Sequence, residues 1–374
     1  MPFTEANFEN AILEIFRDLL GYEYLYGPDV VRDFAEPLCP EILEDALVRI
    51  NPSLPRAAID EAIARIRTHE SGSLARKNAR FTDMLQNGVA VNYFDGSEQR
   101  AGLVRLVDYD LPMRNRFTVA NQWTVEERSV RRADIVVFVN GLPLVVVELK
   151  SPSREATDVS EAYAQLRNYM QEIPSLFVYN AFCVMSDLAT TKAGTITAGE
   201  DRFMGGKTGD GKLEDAHYAN FDVLFREMFE KSLFIELLGG FICCAEKDGQ
   251  DIKILSAYHQ FYAVRKAVDS TLRAAEGDGR GGVFWHTQGS GKSLSMVFFA
   301  KRLQRAMASP TIVVLTDRND LDGQLYRQFA QCSDFLRQVP VQARPSARAA
   351  GRARGKRHLL LDDAEVRGGR RTPL

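Results

Sequence analysis

An apolar hairpin that carries three charged residues constrains the fold of this chain more than any other feature. Residues 135–139 and 144–149 are almost entirely apolar and flank Asn140-Gly141, a dipeptide typical of tight turns between antiparallel strands. Asp134, Glu148 and Lys150 lie at the strand ends away from this turn. Because apolar runs of this kind are buried in a sheet, charged residues beside them need partners or a chemical role.

The expected register of the hairpin brings these charges together. If the turn is centred on Gly141, Asp134 lies directly opposite Glu148, with Cβ atoms about 5 Å apart. Side chains alternate along a strand, so Lys150 shares the face of Glu148. Two close carboxylates repel each other unless a cation separates them, and Mg²⁺ is commonly held by one or two carboxylates. The pattern predicts a Mg²⁺ site, where Lys150 orients or deprotonates a water or offsets charge on a phosphate.

A simpler interpretation of the same residues stays open. Glu148 and Lys150 could be surface residues at a strand end, with Asp134 paired to Arg131 or Arg132. On the following helix, Gln165 and Tyr169 are one turn apart and share a face, which is also what an ordinary amphipathic helix would give.

A second signal is a glycine-rich loop between an expected strand, 283–285, and an expected helix, 292–305. Such a loop presents backbone N–H groups to phosphates at a helix N-terminus. Lys292 is expected to reach the phosphates of ATP and Ser293 to hold Mg²⁺. His286 stands where the usual pattern has its first glycine. The loop sequence is Gly289-Ser290-Gly291-Lys292-Ser293.

Two polar residues precede this loop on the helix expected at 256–274. Gln260 could hydrogen-bond an adenine or could be a surface glutamine, whereas His259 is expected to be packed or solvated rather than chemical.

The periodicity of the chain predicts a mixed α/β fold with two domains. Thr4 is expected to cap a first helix in which apolar residues recur at helical spacing from Phe8, and further helices are predicted after Pro40, after Pro55 and at 74–87. Alternation then predicts strands at 89–93, 103–109, 117–124, 135–139, 144–149 and 181–185, with a helix at 160–170, a loop at 189–215, and helices near 221–230 and 232–241. The expected divisions are 1–246, a partial nucleotide-binding domain at 247–340 that includes a strand at 311–316 and a helix at 320–330, and a basic tail at 341–374.

Composition excludes several classes of protein. Apolar residues make up 45% and charged residues 26%, as in a soluble globular protein, and no apolar run has the length of a membrane helix. Five cysteines without a C-x-x-C pair, and an N-terminus without a signal-peptide pattern, favour a reduced cytoplasmic compartment. The net charge of −3 combines nine basic and three acidic residues in 341–374 with 38 basic and 47 acidic residues before them. Charge alone therefore does not indicate nucleic-acid binding.

Taken in order, these motifs resemble the restriction (R, or HsdR) subunit of type I restriction-modification enzymes, from the N-terminus to about residue 338. Asp134, Glu148 and Lys150 look like the PD-(D/E)xK nuclease residues of that family, although Ala133 replaces the proline. Gln165 and Tyr169 look like its Q-x-x-x-Y motif, Gln260 like its Q-motif glutamine, and the loop ending at Ser293 like helicase motif I.

The resemblance implies an N-terminal restriction-endonuclease-like domain followed by an incomplete RecA-like helicase domain. It further implies ATP-dependent translocation and Mg²⁺-dependent cleavage of double-stranded DNA, by a subunit that docks on methyltransferase (M) and specificity (S) subunits. Two other functions stay open: an inactive remnant that binds DNA or the M subunit, and a stand-alone Mg²⁺ nuclease.

The resemblance stops before the later helicase motifs of the family. Residues 359–365 imitate the acidic strand of an ATPase, but low-complexity sequence rich in Gly and Arg surrounds them, so we interpret Asp362 and Asp363 as a decoy. We expect the region from about Val341 not to fold with the preceding domain and to come from an out-of-frame reading. The chain would then be truncated and deficient as a motor.

Overall fold

The computed structural model describes residues 4–150, 159–187, 189–206, 220–307, 310–316, 319–337, 339–343 and 357–361. The chain forms two compact units. The first runs to Ile242 and includes Asp251–Leu255, and the second comprises Cys243–Gln250 and continues from Ser256. Both units combine helices with strands, so the predicted mixed α/β class is confirmed.

The first unit begins with four helices that the apolar spacing predicts. Thr4 caps the first of them, because its side chain accepts from Asn7 N and the Asn7 side chain accepts in return from Thr4 N. A π-helical turn, Ile15–Leu19, extends it. The four helices are α1 (Glu5–Glu14), α2 (Pro40–Ile50), α3 (Arg56–Arg67) and α4 (Leu74–Asn87).

A six-stranded mixed sheet forms the centre of this unit. Its strands are β1 (Glu23–Tyr26), β4 (Phe117–Glu126), β5 (Val130–Val139), β6 (Leu142–Leu149), β7 (Phe182–Ser186) and β8 (Thr191–Gly194), in the spatial order β1-β4-β5-β6-β7-β8. β6 is buried along its whole length, as its continuous apolar run predicts. Apart from this sheet, β2 (Val89–Phe94) and β3 (Gln99–Val104) form a two-stranded ribbon.

Helices cover the sheet and complete its core. α5 (Val159–Glu172) connects β6 to β7, which are parallel, and buries Leu166 and Met170 against residues of β5 and β6. α6 (Pro174–Val178), α7 (Asn220–Met228) and α8 (Lys231–Gly240) follow, and Phe16, Phe225 and Phe229 pack with T-shaped or stacked rings.

Sequence periodicity missed or misplaced several strands. β1 is mostly exposed and has no apolar alternation, β8 lies inside the predicted loop 189–215, and the strand predicted at 103–109 is β3, which ends at Val104. Near the predicted boundary the chain forms β9 (Ile242–Lys247) and β10 (Gln250–Leu255), and Gly249 between them has φ of +75°. The exposed strand β1 is held by its pairing with β4, whereas β8 is largely buried but too short and too poor in apolar residues to be recognised from its sequence.

The second unit contains α9 (Tyr258–Glu276), α10 (Lys292–Ala306), β11 (Ile312–Thr316), α11 (Asn319–Gln331), α12 (Ser333–Leu336), β12 (Val341–Ala343) and β13 (Arg357–Leu361). The strand predicted at 283–285 is wrong: Val283 is 97% and Trp285 77% exposed, and no strand among the described residues pairs with them. Three residues form a stable strand only between neighbours. The helices and the strand predicted at 292–305, 311–316 and 320–330 are confirmed within a few residues.

The described part of the predicted tail contradicts the expectation of an unfolded segment. β13 lies between β11 and β12 and is antiparallel to both, with Leu359 opposite Val314 and Leu360 opposite Val313. An apolar leucine run satisfies its backbone by pairing with an apolar strand, even though its flanks are rich in arginine. Asp362 and Asp363 lie outside the described residues, and the out-of-frame origin stays a prediction.

Among the helices of the described ranges, none is both long enough and apolar enough to cross a membrane.

Candidate functional site

The hairpin of β5 and β6 sets the positions of the candidate nuclease residues. Asn140 and Gly141 form a two-residue turn with φ of +53° and +77°, and Val139 pairs with Leu142. The pairing shifts between Val137 and Phe138, so that Leu144 is an extra residue in β6. Beyond this bulge Ile135 pairs with Val147, and the next position along the hairpin places Asp134 opposite Glu148, as predicted.

The surrounding fold fixes the turn. The Asn140 side chain donates to Leu106 O and Asn115 Oδ1 and accepts from Arg116 N. Gly141 approaches α2 so closely that a Cβ on it would lie 2.6 Å from Cys39 O and Leu43 N. The register that unites the carboxylates is therefore held at the end of the hairpin away from them.

Asp134, Glu148 and Lys150 form one contiguous group. Lys150 Nζ lies 2.6 Å from Glu148 Oε1, and Leu149 N donates to Asp134 Oδ2 at 2.8 Å. Glu148 is only 3% exposed, and its Oε2 is buried without a hydrogen-bond partner. An unsatisfied buried carboxylate oxygen is costly unless it has a ligand, so this atom fits the metal that the sequence predicts.

Electrostatics reflect the crowding of charge in this group. Burial raises the pKa of Asp134 to about 6, against the Leu149 N–H group and the Lys150 ammonium. Burial and the Asp134 carboxylate raise the pKa of Glu148 to about 8, against Lys150. Burial acts to lower the pKa of Lys150, but the Glu148 carboxylate outweighs it and the pKa is raised. The lysine therefore stays charged. The two carboxyl groups are less readily ionised together, because each negative charge disfavours the other.

Tyr169 lies near enough to this group for the Glu148 carboxylate to affect its pKa, and Gln165 is hydrogen-bonded to Tyr169. The Tyr169 hydroxyl donates to Arg132 O at 3.0 Å and shares a hydrogen bond with the Gln165 side chain. Burial, and next the Glu148 carboxylate, raise the pKa of Tyr169 above its usual value. The arrangement lets Tyr169 hold β5 two residues before Asp134.

The sequence analysis did not identify two acidic residues that lie near the site. Glu5 and Glu9 on α1 both raise the pKa of Asp134, and Glu9 also accepts from the Asn121 and Gln122 side chains at 2.5 and 2.7 Å. Their spacing of four residues places them on one helix face, which was the only signal. Across the described residues, no cluster of three or more His, Cys, Asp or Glu side chains is arranged to hold a metal ion. The group thus supplies two carboxylates, and phosphate or water oxygens would complete a Mg²⁺ shell.

The interpretation of Asp134 as a partner of Arg131 does not fit the structure. Arg131 forms a bidentate ion pair with Glu172 at the end of α5. Asp134 instead accepts the Leu149 N–H group described above.

The candidate nucleotide site forms part of the second unit. α10 begins at Lys292, and Gly289 and Gly291 have φ of +83° and +77°, so the loop enters the helix as a phosphate-binding loop does. Lys292 is exposed, and its Nζ donates to His286 O and Thr287 O at 2.9 Å each. Ser290 and Ser293 are half-buried at the start of the helix.

Gln260 contacts this loop directly instead of facing solvent. Its Oε1 accepts from Ala257 N, and its Nε2 lies 3.4 Å from Ser290 O and 3.2 Å from Gly291 O. His259, which the sequence assigned to packing or solvent, has its Nε2 3.1 Å from Ser290 O. The surface-glutamine alternative is therefore wrong, because the side chain is 5% exposed and hydrogen-bonded to the loop.

Comparison with known proteins gives the family of the chain. The family model for the type I restriction enzyme R protein N terminus (HSDR_N) matches residues 2–202, and a model for the SWI2/SNF2 ATPase matches residues 259–360. The chain is 40% identical over 358 residues to the type I restriction enzyme HindI endonuclease subunit of Haemophilus influenzae, an alignment that covers 91% of this chain and 34% of that protein.

More distant relatives agree. A putative type I restriction enzyme endonuclease subunit of Methanocaldococcus jannaschii, MjaIXP, is 33% identical over 86% of this chain and 34% of its own length. An endonuclease subunit of Staphylococcus aureus is 28% identical over 58% of this chain and 22% of its own length. The chain thus spans about a third of the length of the first two relatives. With more than half of its residues matched by the HSDR_N model, the chain belongs to the type I restriction enzyme R protein family.

Proposed function

We propose that this chain is the nuclease and nucleotide-binding portion of a type I restriction subunit that cleaves double-stranded DNA with Mg²⁺. One observation carries the proposal: the buried pair of Asp134 and Glu148, with Lys150 on the face of Glu148 and with Glu148 Oε2 lacking a partner. Buried carboxylate oxygens usually have a hydrogen-bond partner, and an oxygen without one could serve as a metal ligand.

Each residue of the group has a distinct task in this proposal. Asp134 and Glu148 hold the ion, and bound Mg²⁺ supplies Lewis-acid stabilisation of the phosphate. Lys150, kept charged by Glu148, offsets negative charge that develops on the scissile phosphate or orients the attacking water. Tyr169 keeps β5 in place by donating to Arg132 O, and Gln165 holds the Tyr169 side chain, so that Asp134 stays opposite Glu148.

Nucleotide binding is proposed for the loop at residues 289–293. Its backbone N–H groups and Lys292 would contact the phosphates of ATP, Ser293 would contact the associated Mg²⁺, and Gln260 would lie next to the same loop. The SWI2/SNF2 match over these residues and the left-handed conformations of Gly289 and Gly291 support this role.

Partners follow from the family. The relatives are named as endonuclease subunits, and on this basis we propose that the chain assembles with M and S subunits in the cytoplasm and that S selects the DNA sequence. The acidic balance of residues 1–340 fits a chain that relies on partners to engage DNA.

Single-turnover cleavage of supercoiled plasmid tests the proposal. The purified 374-residue chain is incubated with plasmid and Mg²⁺, with or without ATP and with or without M and S subunits of a related system. Asp134→Asn is the test variant, and Asp60→Asn is a matched control, because Asp60 is an exposed residue paired with Arg56. Cleavage by the wild type and the control, but not by Asp134→Asn, is expected in the presence of all components.

The same experiment separates the other two functions. Cleavage with Mg²⁺ alone, unaffected by ATP or partners, would identify a stand-alone nuclease. DNA or M-subunit binding without cleavage under any condition would identify an inactive remnant. Cleavage by Asp134→Asn at the wild-type rate would refute the site assignment itself.

A further inference from the structure

The residue before Gln260 contacts the same loop through a bond that no motif assigns. His259 Nε2 lies 3.1 Å from Ser290 O. Because a carbonyl oxygen can only accept, this ring nitrogen carries the proton and donates. Gln260 Nε2 lies 3.4 Å from the same oxygen and 3.2 Å from Gly291 O. Two adjacent side chains of α9 thus hold two consecutive carbonyl groups of the loop.

Holding a carbonyl fixes the opposite end of its peptide group. In a trans peptide the C=O and N–H bonds point in opposite directions, and the chain has no cis peptide in its described part. With Ser290 O turned toward α9, the N–H group of Gly291 points away from α9. Gly291 O also accepts from Ser295 N in the first turn of α10, so the helix itself orients the N–H group of Lys292. These are the groups that a phosphate at the start of α10 would meet.

Glycine at position 291 favours the close contact of the loop with α9. Gly291 has φ of +77°, and a Cβ on it would lie 2.5 Å from Gln260 Nε2. Gln260 cannot retreat freely, since its Oε1 accepts from Ala257 N and its Nε2 serves two carbonyls. The close approach therefore depends on the missing side chain at Gly291 and on the fixed position of the Gln260 side chain.

His259 also contacts the beginning of the loop. Its ring centroid lies 5.3 Å from that of His286, in an edge-on arrangement, and His286 in turn lies 4.7 Å from the Phe284 ring. His286 replaces the first glycine of the usual phosphate-loop pattern. One side chain therefore contacts both ends of the loop, by a ring contact at His286 and by a hydrogen bond at Ser290.

We propose that His259 is a positioning residue of the nucleotide site, which turns the Ser290–Gly291 peptide so that the Gly291 N–H group faces the phosphates. This inference rests on the proposed nucleotide-binding function of the loop. It predicts that the donor at the Nε2 position, and not the size or aromatic character of the ring, determines nucleotide affinity.

Three variants of the full 374-residue chain test this role by equilibrium binding of fluorescent ADP. His259→Phe keeps a ring against His286 but removes the donor. His259→Gln places an amide N–H close to the position of Nε2. Lys292→Ala reports whether the loop binds nucleotide at all. Circular dichroism checks that each variant is folded, and His259→Leu replaces the Phe variant if that variant is unfolded.

We expect His259→Phe to weaken ADP binding about fivefold to tenfold, the effect of one hydrogen bond, and His259→Gln to restore it to within about twofold of the wild type. Wild-type affinity in His259→Phe would overturn the inference, as would equal loss in the Phe and Gln variants. Two other outcomes would refute the proposed nucleotide-binding function itself: no ADP binding by the wild type, or unchanged ADP binding in Lys292→Ala.

Discussion

Lys150 Nζ contacts Glu148 Oε1 at 2.6 Å and leaves Glu148 Oε2 buried without a partner. Lys150 directly follows β6 and is two residues from Glu148, so the two side chains share a face. The pair keeps Lys150 charged and leaves one oxygen of Glu148 for a ligand. Without a metal this arrangement is strained by the nearby Asp134 carboxylate, and its consequences for stability and binding can be measured.

Removing the Asp134 charge should stabilise the metal-free protein while abolishing its response to Mg²⁺. In Asp134→Asn the repulsion on Glu148 disappears, so we expect the free energy of unfolding above pH 7 to rise by on the order of 1 kcal/mol. Urea denaturation with and without Mg²⁺ measures both effects. Asp60→Asn, the exposed control, should keep the wild-type response to Mg²⁺. A full Mg²⁺-induced stabilisation in Asp134→Asn would contradict the assignment.

The stability of the metal-free protein should fall as the pH rises from about 5 to about 8. The pKa of Asp134 is raised to about 6, and that of Glu148 is raised from 4.5 to about 8, chiefly by burial. In this range the folded protein therefore binds more protons than the unfolded chain, and a rise in pH favours unfolding.

Thermal unfolding at several pH values, with EDTA or with Mg²⁺, checks this pH dependence. Mg²⁺ should flatten the profile, because a bound cation stabilises the ionised carboxylates. A metal-free stability that rises across this pH range would show that the pair is not buried as described.

Substitution of Gly141 should be far more damaging than substitution of another glycine with positive φ. In Gly141→Ala the new Cβ would meet Cys39 O and Leu43 N at 2.6 Å, and φ is +77°. We expect a loss of about 2 kcal/mol or more of unfolding free energy. Gly96→Ala is the matched control, since φ there is +102° but no atom lies within 4 Å of the added Cβ. Equal losses in the two variants by urea denaturation would show that contact with α2 does not fix the turn.

The 374-residue chain should bind ADP through Lys292 but hydrolyse ATP negligibly. Lys292→Ala removes the cation of the loop and should weaken ADP binding at least about tenfold. Hydrolysis also needs a carboxylate at the correct sheet edge. Because β13 is antiparallel to β11, the C-terminal ends of these two strands lie at opposite edges of the sheet. Release of phosphate measured with and without DNA provides the check, and robust DNA-stimulated turnover by this chain would contradict the prediction.

The local parts of both sites could be predicted from the sequence. The turn at Asn140-Gly141, the common face of Glu148 and Lys150 and the start of α10 at Lys292 depend on residues close together in the chain, and the structure contains all three. Alternation along a strand and the conformational freedom of glycine act within a few residues, so their signals survive without knowledge of the fold.

Tertiary structure decided what depends on distant residues. The actual turn pairs Val139 with Leu142, and without the extra residue Leu144 this register would place Asp134 opposite Val147, so that the two carboxylates would lie on different faces. The assumed centre at Gly141 gave the correct pairing only because the bulge supplies the same one-residue shift.

The sequence likewise could not predict three other features: the exposure of residues 283–285, the pairing of β13, and the hydrogen bond from His259 to Ser290. Whether an apolar segment becomes a strand depends on available partner strands, and what a helical side chain contacts depends on which loop packs against it. Local preferences determine which elements can form and which side chains share a face. Register, strand partners and contacts between elements are decided by packing across the whole fold.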